Sequence, residues 1–272
     1  MVRSNDKGII QRHYDRVSPY YRSLWGEHLH HGYWIRGDET KETAQVQLIE
    51  HLAALAEIRT GGEILDVGCG FGASSIYLAK KYHARATGIT ISSVQVEMAK
   101  EAAAKAQVQA KFLLMDAEAM QFGARFDVVW SVESISHYQN TSNFFASAAR
   151  LIKPGGTLAL LDWFKRGDLQ PRQYKKYIQP IERGMMVELQ TMEDYESQMR
   201  SNGLQIERRE NLSPQVAKTW DLCLDIIKNR MLWQLAAKNG AEFIHFLQAF
   251  RAMRTGFASG HFIYGLVIAK KA

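Results

Sequence analysis

The chain has 272 residues, of which 46% are hydrophobic and 23% charged, with a formal net charge of +6. That length fits one large domain, or one domain with a sizeable insertion, and the apolar share suffices for a full core. No apolar run is long enough to cross a bilayer, and the polar start Met-Val-Arg-Ser-Asn-Asp-Lys-Gly holds no secretory apolar stretch.

Helical spacing opens the chain, with one helix expected from about Asp6 to Arg22. A second runs from Thr40, with Leu48, Leu52 and Leu55 on one face. Between them, Trp25-Gly26-Glu27-His28-Leu29-His30-His31-Gly32-Tyr33 places three histidines in four positions. A metal reading needs a second ligand cluster, which is not visible, and Cys69 and Cys223 lie far apart without metal-ligand spacing. No metal is expected, and the cysteine usage reads as a reduced, cytoplasmic protein.

From there strands alternate with helices. Strands are expected at Glu63–Val67, Ala84–Ile89, Ala110–Leu114, Phe126–Ser131 and Thr157–Leu161. This alternation predicts an α/β fold, a parallel sheet with helices on both faces. Ser92-Ser93-Val94-Gln95 reads as a capping box, and Pro154-Gly155-Gly156 as the turn from a helix into the fifth strand. After Asp162 the rhythm changes. Helices at about Arg172–Gly184 and Met192–Asn202 precede a strand at Leu204–Glu210, a helical insertion from Pro214 to Gly256, and a last strand at His261–Ala269. The insertion reads as a cap over the active-site edge. Of its Trp220, Ile226, Met231, Trp233, Phe243, Phe246, Phe250 and Phe257, most pack the cap's own core and a minority touch a ligand. One structural domain is expected: helices and a covering segment over 1–60, a binding core over 61–165, and the rest of the sheet with its cap over 166–272.

The most informative stretch is Glu63-Ile64-Leu65-Asp66-Val67-Gly68-Cys69-Gly70-Phe71-Gly72, a strand ending in a glycine loop. Its glycines allow a tight turn with nothing projecting above it, and the helix behind (Ala73 to Tyr82) aims N–H groups into that space. A nucleotide-like ligand is expected there. Gly68-Cys69-Gly70-Phe71-Gly72-Ala73 also fits the dinucleotide pattern G-x-G-x-x-G/A. Two features argue against NAD. Asp66 can accept from an ammonium over the loop, and Ala86-Thr87-Gly88-Ile89-Thr90 lacks the acid expected on a dinucleotide ribose. D-x-G-C-G-x-G instead resembles motif I of class I S-adenosylmethionine (SAM) methyltransferases, in which the aspartate and the loop hold the methionine end of SAM.

W-G-E-H-L-H-H-G-Y, D-V-G-C-G-F-G, G-I-T-I-S-S-V-Q and W-S-V-E-S-I-S-H together resemble the γ-tocopherol C-methyltransferase group, over about Tyr14 to Phe164. The chain is also similar to sarcosine/dimethylglycine and sugar O-methyltransferases, and more remotely to cyclopropane fatty acid synthases. The resemblance implies a Rossmann-like class I methyltransferase sheet, mostly parallel with an antiparallel last strand, plus a helical cap. It implies SAM as cofactor and S-adenosylhomocysteine (SAH) as product. Four segments past strand ends then form the cradle. Asp66, Gly68, Cys69 and Gly70 hold the methionine part, and Thr90, Ile91 and Gln95 lie where the ribose belongs. Asp116, Ala117 and Glu118 are placed for the adenine; Ser131, Val132 and Glu133 lie beneath the sulfonium. Gln95 also has a structural role open to it in the capping box. Tyr20, Tyr21 and His31 are placed to close over SAM, since aromatic faces attract a sulfonium.

Methyl transfer is an in-line displacement, so the main task is holding an acceptor atom behind the methyl. Glu133 and His137 follow the fourth strand and Asp162 ends the fifth, which would bring these three catalytic candidates to one rim. His137 can take a proton from a phenol, amine or hydroxyl. In related sugar O-methyltransferases the matching histidine and aspartate serve that role or orient the acceptor. The plainer readings are a capping histidine and a turn-capping aspartate. Positive and negative charges balance up to Asp162, and the excess follows in pieces such as Lys165-Arg166, Lys175-Lys176, Arg208-Arg209 and Lys270-Lys271. This reads first as solvated surface and second as loose attraction to an anionic membrane surface; no nucleic acid partner is expected. The expected activity is methylation of a small, largely apolar acceptor by a monomer or homodimer. A phenol or prenylated aromatic methylated on carbon comes first, then an amine or hydroxyl. The alternatives are a cyclopropane or methylene-transfer synthase on lipid chains, and a non-catalytic SAM-fold binding protein.

Overall fold

The computed structural model describes residues 5–228, 232–233 and 241–272. Met231 and the side chain of Phe243, both expected in the cap, lie outside the description. Helices α1 (Lys7–Leu24) and α2 (Lys41–Leu55) precede the sheet, capped by the side chains of Asp6 and Thr40. Then follow β1 (Glu63–Val67), α3 (Ala73–Tyr82), β2 (Arg85–Thr90), α4 (Ser93–Ala106), β3 (Ala110–Leu114), β4 (Phe126–Val132), α5 (Thr141–Leu151) and β5 (Ile152–Lys165). Helices α6 (Pro171–Gln173), α7 (Gln179–Met185) and α8 (Met192–Ser201) lead to β6 (Leu204–Asn211). Between β6 and β7 (Phe262–Lys271) lie α9 (Ser213–Val216), α10 (Lys218–Ile226) and α11 (Ala241–Ala258).

The sheet order is β3-β2-β1-β4-β5-β7-β6. Strands β1 to β5 run parallel, and β7 lies antiparallel between β5 and β6. Both faces of the sheet are covered, which is why its strands read as apolar runs. Ile64, Trp130 and Leu161 pack with Leu48 and Leu52 of α2, and Leu55 packs half-buried beside them. Leu65, Val129 and Leu160 pack on the other face with Phe144 and Phe145 of α5 and Tyr195 of α8. Each such side chain contributes about 1.5–3 kcal/mol by leaving water, which fixes both helix layers to the sheet. The strand order reverses between β1 and β4, so a crevice opens past their C-terminal ends.

Three local expectations change. Helix α5 ends at Leu151, and Pro154-Gly155-Gly156 lies inside the extended β5 segment. Ile152 pairs with Phe126 and Thr157 with Val128, so the intervening residues bulge, with Gly155 at φ +70. The expected helix at 172–184 is interrupted by a wide turn, Tyr174–Ile178, just before Pro180, which has no N–H to continue the ladder. Only half of the capping box forms. Ser92 Oγ accepts from Gln95 N, but the Ser92 N–H goes to Thr90 Oγ1, and the Gln95 side chain turns to Thr90 instead.

Half of the residues in the basic pieces of the second half are ion-paired at the surface. Arg166 meets Asp168, Arg208 meets Glu210, Arg209 meets Glu193 and Glu196, and Lys270 meets Glu57. Among the described residues no helix is long and apolar enough to cross a membrane.

Candidate active site

A cavity of about 270 Å³ lies over the crevice between β1 and β4. Its floor is the glycine loop. Gly68 stands at φ +78, and a Cβ there would meet Ser134 Oγ at 1.9 Å, so only glycine fits. A Cβ on Gly70, at φ +52, would meet only Leu29, at 3.3 Å, because the space above it is open. Asp66, Gly68, Cys69 and Gly70 all line the cavity, as do Thr90, Ile91, Gln95, Asp116, Ala117, Glu118 and Val132. The Asp66 carboxylate is buried and accepts from Ser75 Oγ at 2.6 Å; burial pushes it up to about 6. This cradle fits SAM: a carboxylate beside an open glycine loop suits its ammonium end. Thr90 and Gln95, joined at 2.7 Å, line the same cavity.

Strand β2 ends without an acid, but α1 brings one near: Asp15 accepts from Ser92 Oγ at 2.6 Å. Asp15 does not itself line the cavity. Asp116 accepts from Glu118 N at 2.9 Å and pairs with Lys7 of α1 at 2.7 Å. Glu118 accepts from Gln139 N and Asn140 N and so also ties down the loop before α5.

Ser131, Tyr20 and Asp162 need correction, whereas Tyr21 does reach the cavity. Ser131 does not reach the cavity; it is fully buried and donates to the Val67 carbonyl at 3.1 Å, locking β4 to β1. Tyr20 points outward, 47% exposed, because the inward face of α1 carries Ile10, Tyr14, Val17 and Tyr21 instead. Tyr21 lines the cavity but bonds His13 at 3.1 Å and packs on Phe246. Asp162 neither lines the cavity nor touches His137. It is fully buried and accepts from Trp163 N at 2.8 Å, Ser136 N at 2.9 Å and the Tyr195 hydroxyl at 3.2 Å. Burial pushes its carboxyl up to about 7 while those hydrogen bonds pull the other way. Its reach to His137 is indirect, through the backbone of the preceding residue.

His31 lines the cavity but is anchored. Its N–H at 2.7 Å and its Nδ1 at 2.9 Å both meet Glu133 Oε1, which also accepts from the Tyr264 hydroxyl at 2.7 Å. His31 packs edge-on against Trp220, and Trp163 stands nearby.

His137 does reach the cavity, from the turn after β4. Its Nδ1 faces the Met186 carbonyl at 3.1 Å, and a carbonyl only accepts, so Nδ1 carries the proton. Nε2 is then bare and accepts from the Tyr14 hydroxyl at 3.1 Å. Burial pulls the imidazole down to about 4, so it is neutral near pH 7. Tyr14 was not singled out from the sequence; its signal was the seven-residue spacing to Tyr21 on one helix face. Met186 and Tyr264 carried no local signal.

Beyond this group the wall turns apolar. Met185, Trp220, Ile226, Phe246, Phe250 and Met253 come from α7, α10 and α11.

Comparison with known proteins identifies the family and the fold. The model of the mycolic acid cyclopropane synthetase family matches residues 2–261. A 27-O-demethylrifamycin SV methyltransferase of Amycolatopsis mediterranei (strain S699) is 32% identical over 268 residues, covering 96% of each chain. A probable chloroplastic tocopherol O-methyltransferase of Oryza sativa subsp. japonica is 30% identical, covering 95% of this chain and 76% of its own. Both likenesses run well beyond the Tyr14–Phe164 stretch that carries the sequence motifs. The crystal structure of mycolic acid cyclopropane synthase CmaA1 with SAH and CTAB has the same fold, with a TM-score of 0.87 at 21% identity over 97% of this chain and 98% of that one. The chain therefore belongs to the mycolic acid cyclopropane synthetase family and is a SAM-dependent methyltransferase.

Proposed function

We propose that the protein methylates a small, largely apolar acceptor, a phenol or prenylated aromatic ring on carbon first, and nitrogen or oxygen next. The observation that carries this reading is the Tyr14–His137 pair set in an apolar chamber beside the cradle. SAM, when bound, supplies an activated methyl group on a sulfonium. Asp66 and the glycine loop would hold its methionine end, and Thr90 and Gln95 its ribose.

The chain's other residues handle the acceptor. His137 Nε2 can receive a proton, either directly or through the Tyr14 hydroxyl, while the Met186 carbonyl holds Nδ1–H and steadies the cation formed. Removing a phenol proton raises electron density on the oxygen and on the ring carbons beside and opposite it, so one base serves either site of attack. After attack on carbon the ring C–H proton leaves and the oxygen takes a proton back, which restores the aromatic ring. The apolar walls exclude water and hold the acceptor in place.

Oxygen as the acceptor atom draws support from the full-length likeness to a 27-O-demethylrifamycin SV methyltransferase. Methylene transfer to lipid chains draws support only from the family's name. Mass spectrometry of products from labelled SAM and a panel of phenols, amines, hydroxyl compounds and fatty acyl chains tests the reading. Label on a phenol ring carbon supports it. Label only on acyl chains, or no labelled product, overturns it.

A further inference from the structure

Glu133 follows β4 in left-handed backbone, at φ +53, a conformation uncommon for any residue but glycine. Such strain persists where the surroundings hold it. Here two groups of His31, before α2, and the hydroxyl of Tyr264, on β7, converge on the single oxygen Oε1. The other oxygen, Oε2, takes no hydrogen bond from any described residue. It is not among the atoms shut off from solvent, and Glu133 lines the chamber, so Oε2 is the oxygen left to a ligand. Burial opposes ionisation of Glu133, but His31 outweighs it and holds the carboxyl below the ordinary value. The chamber offers an anionic ligand little in return. Among its described lining residues Lys7 is the sole lysine or arginine, and it is held by Asp116 and Glu118.

We propose that Glu133 Oε2 sets acceptor specificity: it accepts a hydrogen bond from an O–H or N–H of the acceptor, and the chamber rejects carboxylates and phosphate esters. This rests on the methyl-transfer reading above and adds a substrate class to it. Its strongest consequence follows from the three donors. In Glu133→Gln they hold the amide oxygen in the Oε1 position, so the amide NH₂ faces the chamber. An accepting atom becomes a donating atom with the side-chain shape kept.

Binding to the SAH-loaded enzyme, read by calorimetry, tests this with three probes of one shape: para-nonylphenol, its methyl ether para-nonylanisole, and para-nonylbenzoate. The wild type should bind the phenol roughly tenfold or more tighter than either other probe, the scale of one hydrogen bond to a charged group. Glu133→Gln should reverse that order. Equal binding of phenol and benzoate by the wild type overturns the proposal, and so does an unchanged ranking in the variant. The wild-type ranking decides alone if the variant does not fold. The expected ranking without methyl transfer to any member of the acceptor panel overturns only the methyl-transfer reading. Methyl transfer without the ranking overturns only the role of Glu133.

Discussion

Tyr14 and His137 stand 123 positions apart in sequence and share a hydrogen bond of 3.1 Å inside the cavity. The bond couples the N-terminal helix to the turn after β4. With Nδ1 committed to Met186, it also fixes Nε2 as the basic atom. His137→Ala should lower turnover by ~10²-fold or more, the usual scale for losing a general base, and leave SAH affinity intact. His137→Gln keeps a hydrogen bond without basicity, and Tyr14→Phe removes only the relay. Near-normal turnover in Gln but not Ala would reduce His137 to positioning. Near-normal turnover in both would remove it from the mechanism.

The same histidine predicts the response to pH. Its ordinary value is 6.5, and burial brings it to about 4 in the fold. The base is therefore available above about 4, so any fall in kcat/KM between pH 7 and 5 should come from the buried carboxyls, Asp66 at about 6 and Asp162 at about 7, and should persist in the residual activity of His137→Gln. Stability runs with the opposite partner. The unfolded chain takes up this proton near pH 6.5 and the folded chain does not. This share of stability is full above 6.5 and shrinks as pH falls toward 4. The gap in urea midpoint between wild type and His137→Gln should shrink from pH 7.5 to pH 5. A break in the rate profile near 6.5 that disappears in His137→Gln would contradict the buried environment of His137.

Gly70→Val should abolish SAH binding with only a modest loss of stability. The added side chain enters open space over the loop, where Leu29 is the sole near neighbour, and the φ of +52 costs a branched residue roughly 1–2 kcal/mol. Calorimetry with SAH and a thermal melt check both halves. NAD should bind neither form.

Asp162→Asn should act on structure before chemistry. Two backbone N–H groups and the Tyr195 hydroxyl donate to the carboxylate, so an amide NH₂ placed there faces donors and costs about 1–3 kcal/mol. A melting temperature lower by several degrees, reduced turnover and near-normal SAH affinity are expected. Lost turnover with an unchanged melting temperature would restore a direct catalytic role.

Helices α10 and α11 supply much of the apolar wall, and hydrogen exchange should show them becoming protected when SAH and para-nonylphenol bind together. Exchange unchanged by a probe that calorimetry shows to bind would count against a lid.

The fold was legible because its signals are local. A strand ending in Asp-Val-Gly-Cys-Gly-Phe-Gly announces a turn that only glycine permits, and the alternation of apolar strands with helices announces a doubly covered sheet. That Asp66, Gly68, Gly70, Thr90, Gln95 and Asp116 would line one crevice was readable for the same reason, since each sits at a fixed offset from a strand end. Asp162 shows where that reasoning stops. It was expected to end the fifth strand, but β5 runs on to Lys165; its side chain was claimed by Ser136, Trp163 and Tyr195, and only packing decides which face of the sheet such a side chain serves. Ser131 and Tyr20 failed alike, one turned to a neighbouring strand and the other to solvent. The hydrogen-bond partners of the candidate groups, Tyr14 and Met186 on His137 and Tyr264 on Glu133, come from segments far apart in the chain. A hydrogen bond between distant segments leaves no periodicity or spacing in the sequence; it exists only once burial of the two sheet faces has brought those segments together.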